Sequence, residues 1–192
     1  MKKLFLLSSI LCLALVGVGC SKKPAAPLAP AKPVDPTHGH LIKGTSYTTV
    51  YFLGADGKRY VFPNDKTYLS WFNTFSYVKQ IADAELMKSS LGGNVTYKPG
   101  SRLIKIETDP KVYVVTRGGT IRWLKTEEVA EQLYGKDWSK RVDDMPDAFF
   151  TNYKDGQPIL SFNDFSPAAE EQNTTTIDQD RNIQPVASST TP

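Results

Sequence analysis

The acids that crowd the second half of this chain are the first residues to test for chemistry. Glu127, Glu128, Glu131, Asp143, Asp144 and Asp147 fall within one short stretch. Two carboxylates held several ångströms apart are the working parts of a glycosidase, one as acid and one as base or nucleophile. A plainer reading competes at each position. Glu127 and Glu128 suit the first turn of a helix, Glu131 a solvated face, and Asp143 or Asp144 the cap of a turn before Pro146. Nucleophile chemistry has fewer materials. From Leu41 to Phe165 there is neither His nor Cys, which removes Ser-His-Asp and Cys-His catalysis and most zinc sites from that stretch. His38-Gly39-His40 offers only two ligands. Asp178-x-Asp180-x-Asn182 opens like a calcium loop, but Ile183 stands where the turn glycine belongs and Ser189 where a bidentate Glu belongs. No nucleophile elbow, phosphate-binding loop or dinucleotide fingerprint is present. The sequence therefore assigns no catalytic residue, metal or cofactor, and the chain is expected not to be an enzyme.

Flat rings offer a second chemistry, because they stack on sugar faces. Arg59-Tyr60 and Arg122-Trp123 each place an aromatic beside a guanidinium, and Arg59, Tyr60, Arg122 and Trp123 are the candidate ligand contacts. The competing reading is that small lobes without disulfides use such rings as core. Which face each ring occupies is left open by the sequence.

The address of the chain comes from its N-terminus. Met1-Lys2-Lys3 is basic, Leu4 to Val18 is apolar, and Gly19-Cys20 precedes the polar Ser21-Lys22-Lys23. An apolar run of about fifteen residues is short for a spanning helix, which needs roughly twenty. The arrangement is that of an export signal. It resembles the lipobox of bacterial lipoproteins, with Gly17 where that family favours Leu. The resemblance implies cleavage before Cys20 and acylation of Cys20 by fatty chains of the palmitate type. It implies a chain tethered on the extracytoplasmic side of the envelope, in the outer membrane if the cell has one. Cys12 would leave with the signal, so no disulfide could form within the mature chain. Lys and Arg total 23 against 20 Asp and Glu, and losing Lys2 and Lys3 brings the charge near balance. That gives no electrostatic reason to expect a nucleic acid partner. The expected partners are the membrane, through the lipid, and an envelope protein or glycan.

Composition divides the rest. Residues 20–40 are the acylated Cys and a linker in which Pro24, Pro27, Pro30, Pro33 and Pro36 recur every third residue. Polyproline II has three residues per turn, so this stretch reads as a rod of roughly 40 Å. Every aromatic except Phe5 lies between Tyr47 and Phe165, which confines the core to about Leu41–Phe165. Residues 166–192 are rich in Ser, Thr, Gln, Asn and acids and read as a disordered tail. The block before it is expected to fold without linker or tail.

The block repeats itself. Leu41-Ile42-Lys43 recurs as Leu103-Ile104-Lys105, Val50-Tyr51 as Val112-Tyr113, and Gly57 as Gly119. With small shifts in spacing, Arg59-Tyr60 matches Arg122-Trp123, Asp83 matches Asp144, and Tyr97-Lys98-x-Gly100 matches Tyr153-Lys154-x-Gly156. Each copy shows β-branched and aromatic runs around a turn, Ala55-Asp56-Gly57-Lys58 or Arg117-Gly118-Gly119-Thr120, which is a hairpin signal. A helix follows, capped by Asn64 in the first copy and by Thr126 in the second, where Gly135 supplies the stop. A helical turn near Ala84–Met87 and another near Pro146–Phe150 come next. The expected class is α+β: two similar small lobes, 41–101 and 102–165, each an antiparallel hairpin-based sheet with a short helix.

The strings Gly57-Lys58-Arg59-Tyr60-Val61-Phe62-Pro63-Asn64, Leu91 to Gly100, Asp109-Pro110-Lys111-Val112-Tyr113 and Ile121-Arg122-Trp123 resemble a repeat of bacterial secreted and surface-layer-like proteins. The resemblance implies an extracellular accessory module and supplies no catalytic residues. The expected function is a non-catalytic envelope lipoprotein acting as an interaction or structural module. The alternatives are a carbohydrate-binding module for peptidoglycan or surface glycan and, third, a small carboxylate-dependent hydrolase. Replacing Cys20 by Ser should abolish incorporation of labelled fatty acid; labelling that persists in Cys20→Ser would refute the lipoprotein reading.

Overall fold

The computed structural model describes residues 40–186; the signal, Cys20, His38 and the proline rod lie outside the described residues. Lobe 1 contains β1 (His40–Lys43), β2 (Tyr51–Leu53), β3 (Arg59–Val61), α1 (Asp65–Trp71), β4 (Lys79–Gln80), α2 (Asp83–Leu86) and β5 (Leu91–Asn94). Lobe 2 contains β6 (Leu103–Ile106), β7 (Tyr113–Thr116), β8 (Thr120–Trp123), α3 (Glu127–Tyr134), β9 (Val142–Met145), α4 (Asp147–Phe150) and β10 (Lys154–Asp155). The sheets run β4-β1-β2-β3-β5 and β9-β6-β7-β8-β10, which is one strand order used twice. The three inner strands of each sheet are antiparallel, as expected from the hairpins. The two outer strands of each are parallel to their neighbours. Parallel pairing needs a crossover, and the helical segments after β3 and β8 supply it. The class is α+β with two similar lobes, and each sheet is mixed.

Local signals place the helices. Asn64 Oδ1 accepts the Thr67 N–H at 2.8 Å, and Thr126 Oγ1 accepts the Val129 N–H at 3.4 Å. Gly135 ends α3 at φ 84°, a conformation that costs glycine little. Helix α1 buries Tyr68 and Trp71 on lobe 1, and the Trp71 indole N–H donates to the Thr96 carbonyl at 2.8 Å. Helix α3 buries Val129, Ala130 and Tyr134 on lobe 2. The opposite face of the second sheet is apolar too, with Ile104, Val115 and Ile121 packed around Tyr97 and Met145.

Strand register corrects three of the internal matches. Tyr51 faces Val61 across the first hairpin, and Tyr113 faces Trp123 across the second. Trp123 is therefore the counterpart of Val61, and Arg122 of Tyr60. Sequence alone slipped the match by one residue, which in a strand exchanges the two faces. Asp83, secondly, corresponds to Asp147 rather than to Asp144. Each opens its short helix and accepts a threonine hydroxyl, from Thr45 at 2.9 Å and from Thr108 at 2.8 Å. Thirdly, the Val95 N–H donates to the Val61 carbonyl and the Ile159 N–H to the Trp123 carbonyl, both at 2.8 Å. Val95 thus pairs with Ile159, and Tyr97 has no counterpart in Tyr153. The two tyrosines meet instead: the Tyr153 hydroxyl accepts the Tyr97 N–H at 3.0 Å and joins the lobes. Val50 and Val112 agree with the duplication, each half-buried against its own lobe's core.

The stretch expected to be disordered from Ser166 carries α5 (Pro167–Asn173) and α6 (Ile177–Arg181). Composition failed here because very few apolar groups are needed. Ile177 enters the lobe 1 core beside Phe52, Tyr60 and Val95, and the partly buried Ile183 packs against it. Polar caps satisfy the rest. Ser166 accepts from Ala169 N–H with Pro167 at the start of α5, and Thr176 and Gln179 form a capping box on α6. Truncating Ile177 to Ala should therefore lower stability by about 2–5 kcal/mol, read from denaturant midpoints. Protease should cut residues 166–186 of the native chain faster in Ile177→Ala than in the parent, and equal rates would contradict this packing.

Candidate functional site

Three of the four candidate contacts are committed to the frame. Arg59, 9% exposed, donates from Nη1 to the Leu86 carbonyl at 2.9 Å and also to the Ser89 carbonyl. It thereby ties β3 to the last turn of α2. Its register places it where lobe 2 has the apolar Ile121. Tyr60 is 5% exposed, and its hydroxyl donates to Asp56 Oδ2 at 2.8 Å. Burial, and then Asp56, push that hydroxyl's pKa up to about 12. A Cβ on Gly92 would come within 2.4 Å of the Tyr60 ring, so only glycine backbone can seal that side. On lobe 2, Arg122 donates from Nε to the Gln157 carbonyl at 2.8 Å and from Nη1 to the Asp164 carbonyl at 3.2 Å. Trp123 is half-buried, with the Lys125 and Lys111 ammonium groups 4.2 Å and 5.5 Å from its ring centroid. Arg59 and Tyr60 belong to one sheet and Arg122 and Trp123 to the other, so the structure does not assemble the four into one row.

The carboxylates are similarly engaged. Asp143 receives Arg102, with Nη2 at 2.9 Å from Oδ1, and Lys66 of α1 at 3.7 Å, which links the lobes. Asp144 pairs with Lys105 at 3.4 Å, and Asp147 takes the Thr108 hydroxyl. The Thr126 hydroxyl holds the Glu128 carboxyl below its ordinary value. Glu127 and Glu131 face solvent. Among the described residues no group of three or more His, Cys, Asp or Glu side chains is placed to hold a metal.

A concave surface lies elsewhere among the described residues. A groove of about 450 Å³ opens where Val50, Phe62, Tyr68 and Phe75 of lobe 1 meet Phe149 of lobe 2. Phe75 stacks on Tyr68, with centroids 4.2 Å apart and planes 10° from parallel. The Tyr68 hydroxyl donates to the Thr74 carbonyl at 2.8 Å, which pins the loop that presents Phe75. Phe75 stays 46% exposed. Thr48, Thr49 and Asn94 add polar edges to the groove. The candidate contacts read from the sequence include neither Tyr68 nor Phe75. The signal available was an aromatic just beyond the helix end with no turn role of its own.

A second juncture involves the C-terminal segment. The Ala55 N–H, in the β2–β3 turn, donates to Asp178 Oδ1 at 3.1 Å. The Gly118 N–H, in the β7–β8 turn, donates to Asp180 Oδ1 at 2.8 Å. The acids that resembled a calcium loop are thus acceptors for the two hairpin turns. The Arg181 guanidinium lies 4.9 Å from the Tyr60 ring centroid. Asp180 is 2% exposed and also accepts the Thr96 hydroxyl at 3.2 Å. Burial raises its pKa above the ordinary value, against the pull of Gly118, Thr96, Arg181 and Arg117.

Comparisons with family models, curated proteins and solved structures return no match. The resemblance carried by Gly57–Gly100 and the strings after it therefore rests on those residues alone.

A carboxyl whose pKa is raised by folding favours the folded chain most below the ordinary Asp value of about 3.9, and that contribution is lost as pH rises through the folded value. The groups facing Asp180 are the Thr96 hydroxyl, the Gly118 amide, the Arg117 and Arg181 guanidinium groups and, farther off, the Tyr153 hydroxyl. Asp180→Asn keeps the shape and removes the charge. It should match the parent chain at low pH and gain on it as pH rises, in a series of thermal midpoints. A constant difference across pH would count against a buried charge there.

Proposed function

We propose that this chain is a non-catalytic cell-envelope lipoprotein, anchored through Cys20, whose two lobes serve as an interaction or structural module. The observation that carries the reading is the pairing of the lipobox-like Gly19-Cys20 with a twice-used sheet whose charged groups brace the frame. Arg59, Arg122, Asp143 and Asp147 each hold a neighbouring turn, strand or helix. A lipid at the N-terminus and a proline rod suit a module presented away from the membrane surface. Its partner is an envelope component.

One observation favours a second reading, a carbohydrate-binding module for peptidoglycan or surface glycan. Phe75, half-exposed and stacked on the buried Tyr68, offers a flat aromatic face beside the hydroxyls and amide of Thr48, Thr49 and Asn94. Sugars pack apolar faces on such rings and bond their hydroxyls to neighbours of this kind. The half-exposed Trp123, flanked by two lysines, is a second and separate ring.

The two readings part on one experiment. The acylated full chain is extracted, freed of other envelope proteins and spun with purified insoluble peptidoglycan. It is also crosslinked in intact cells. Under the leading reading, sedimentation stays at background and crosslinking yields a defined protein adduct. Under the glycan reading the chain sediments, and Phe75→Ala reduces sedimentation about tenfold or more with little loss of stability, since hot-spot rings carry that much. A chain that neither sediments nor crosslinks would overturn both.

A further inference from the structure

The C-terminal segment binds the lobes as a ligand binds a receptor. Its contacts are those of recognition. Ile177 enters an apolar socket at 1% exposure, Asp178 and Asp180 each take one hairpin-turn amide, and the Gln179 carbonyl accepts Arg117 Nε at 2.9 Å. Arg181 reaches the Asn94 carbonyl and lies over Tyr60. The receiving wall is bare backbone where it must be close. A Cβ on Gly54 would stand 3.3 Å from Asp178 Oδ1, and one on Gly93 would stand 3.3 Å from Arg181 Nη2. Both lobes contribute, so the cradle exists only when they are docked.

The same segment concentrates unfavourable burial. Asp180 has no Lys or Arg nitrogen within 4.0 Å among the described residues, and a buried carboxylate without a close cation is costly. Among those residues four buried polar atoms lack a hydrogen-bond partner, and two of them, Thr174 Oγ1 and Arg181 Nε, belong to this segment. Each such atom offsets part of what Ile177 gains. Such desolvation penalties lower the cost of opening the segment.

We propose that the two hairpin turns form a cradle for an Ile-Asp-x-Asp-Arg segment, that the chain's own Ile177–Arg181 is its resident occupant, and that this latch opens while the lobes stay folded, letting the cradle take the same segment from a second copy of the chain. The proposal does not depend on what the lobes otherwise bind. The occupant is identified by the cradle itself: two turn amides spaced for two acids, a glycine wall for the arginine and an apolar socket for the isoleucine. In cis the tether gives a high effective concentration, so exchange requires many copies at close quarters.

Amide hydrogen exchange on the full chain tests this, with the synthetic peptide Thr174–Val186 standing in for the second copy. The Ala55 and Gly118 amides should exchange about tenfold or more faster than the Phe62 and Leu124 amides, which bond the Val50 and Val112 carbonyls just beyond β3 and β8, and at a common rate, as one opening unit. Millimolar peptide should slow Ala55 and Gly118 and leave Phe62 and Leu124 unchanged. A peptide with both acids changed to Ala should have no effect. In the full chain, Arg181→Ala should speed Gly118 without altering Phe62. Exchange of all four amides in step would overturn the proposal, and so would a peptide without effect or an acid-free peptide that works equally well.

Discussion

Each of the two sheets presents an apolar face that its own strands and helix cover incompletely, and one stretch of chain finishes both. Phe165 completes the face beneath α3, among Leu103, Leu124 and Ile159. Twelve residues later, beyond α5, Ile177 completes the face beneath α1, among Leu41, Phe52 and Val95. A lobe of some sixty residues buries too small a share of its surface to be secure alone. Here the deficit of both lobes is met by the same covalent segment. The segment bridges the two hairpin turns, and direct contacts between the lobes hold them together beside it.

Docking is then fixed by polar groups that neither lobe could satisfy alone. The Asn94 side-chain amide donates to Asn152 Oδ1 at 2.9 Å, and the Tyr153 hydroxyl takes the Tyr97 amide. Asp143 collects Arg102 from its own lobe and Lys66 from the other. Lys66 is half-exposed on its side chain, so its share is modest, whereas the Arg102 pair reaches a largely buried carboxylate. Tyr97 of lobe 1, fully buried among Ile104, Tyr113 and Met145 of lobe 2, supplies apolar attraction, and these bonds choose one orientation.

What the sequence made legible was local. Asn64, Thr126 and Gly135 act within one turn of themselves, and the helices begin and end where those residues said. The duplicated strands were legible because the same apolar pattern occurs twice. Register was not, because the pairing of Tyr51 with Val61 depends on how a turn closes, and an Arg followed by an aromatic recurs one position out of phase by chance. Thr45 with Asp83 and Thr108 with Asp147 were readable as a repeated pair, yet their meaning appears only when the short helix folds back on the first strand. The tail escaped detection because average polarity cannot show that Ile177 and Ile183 have a socket waiting. The groove escaped because Phe75 is placed by the bond from Tyr68 to Thr74, a contact between side chain and loop that no periodicity encodes.

The position of Ile177 also orders events in time. Lobe 1 leaves the ribosome first, with Phe52, Tyr60 and Val95 in place, yet the side chain that closes its core lies beyond the whole of lobe 2. Domains tend to fold as they emerge, and exposed apolar surface in a waiting intermediate is open to wrong partners. The lobe made first is thus completed last, and its aromatic interior stays partly wet until the end of the chain has arrived.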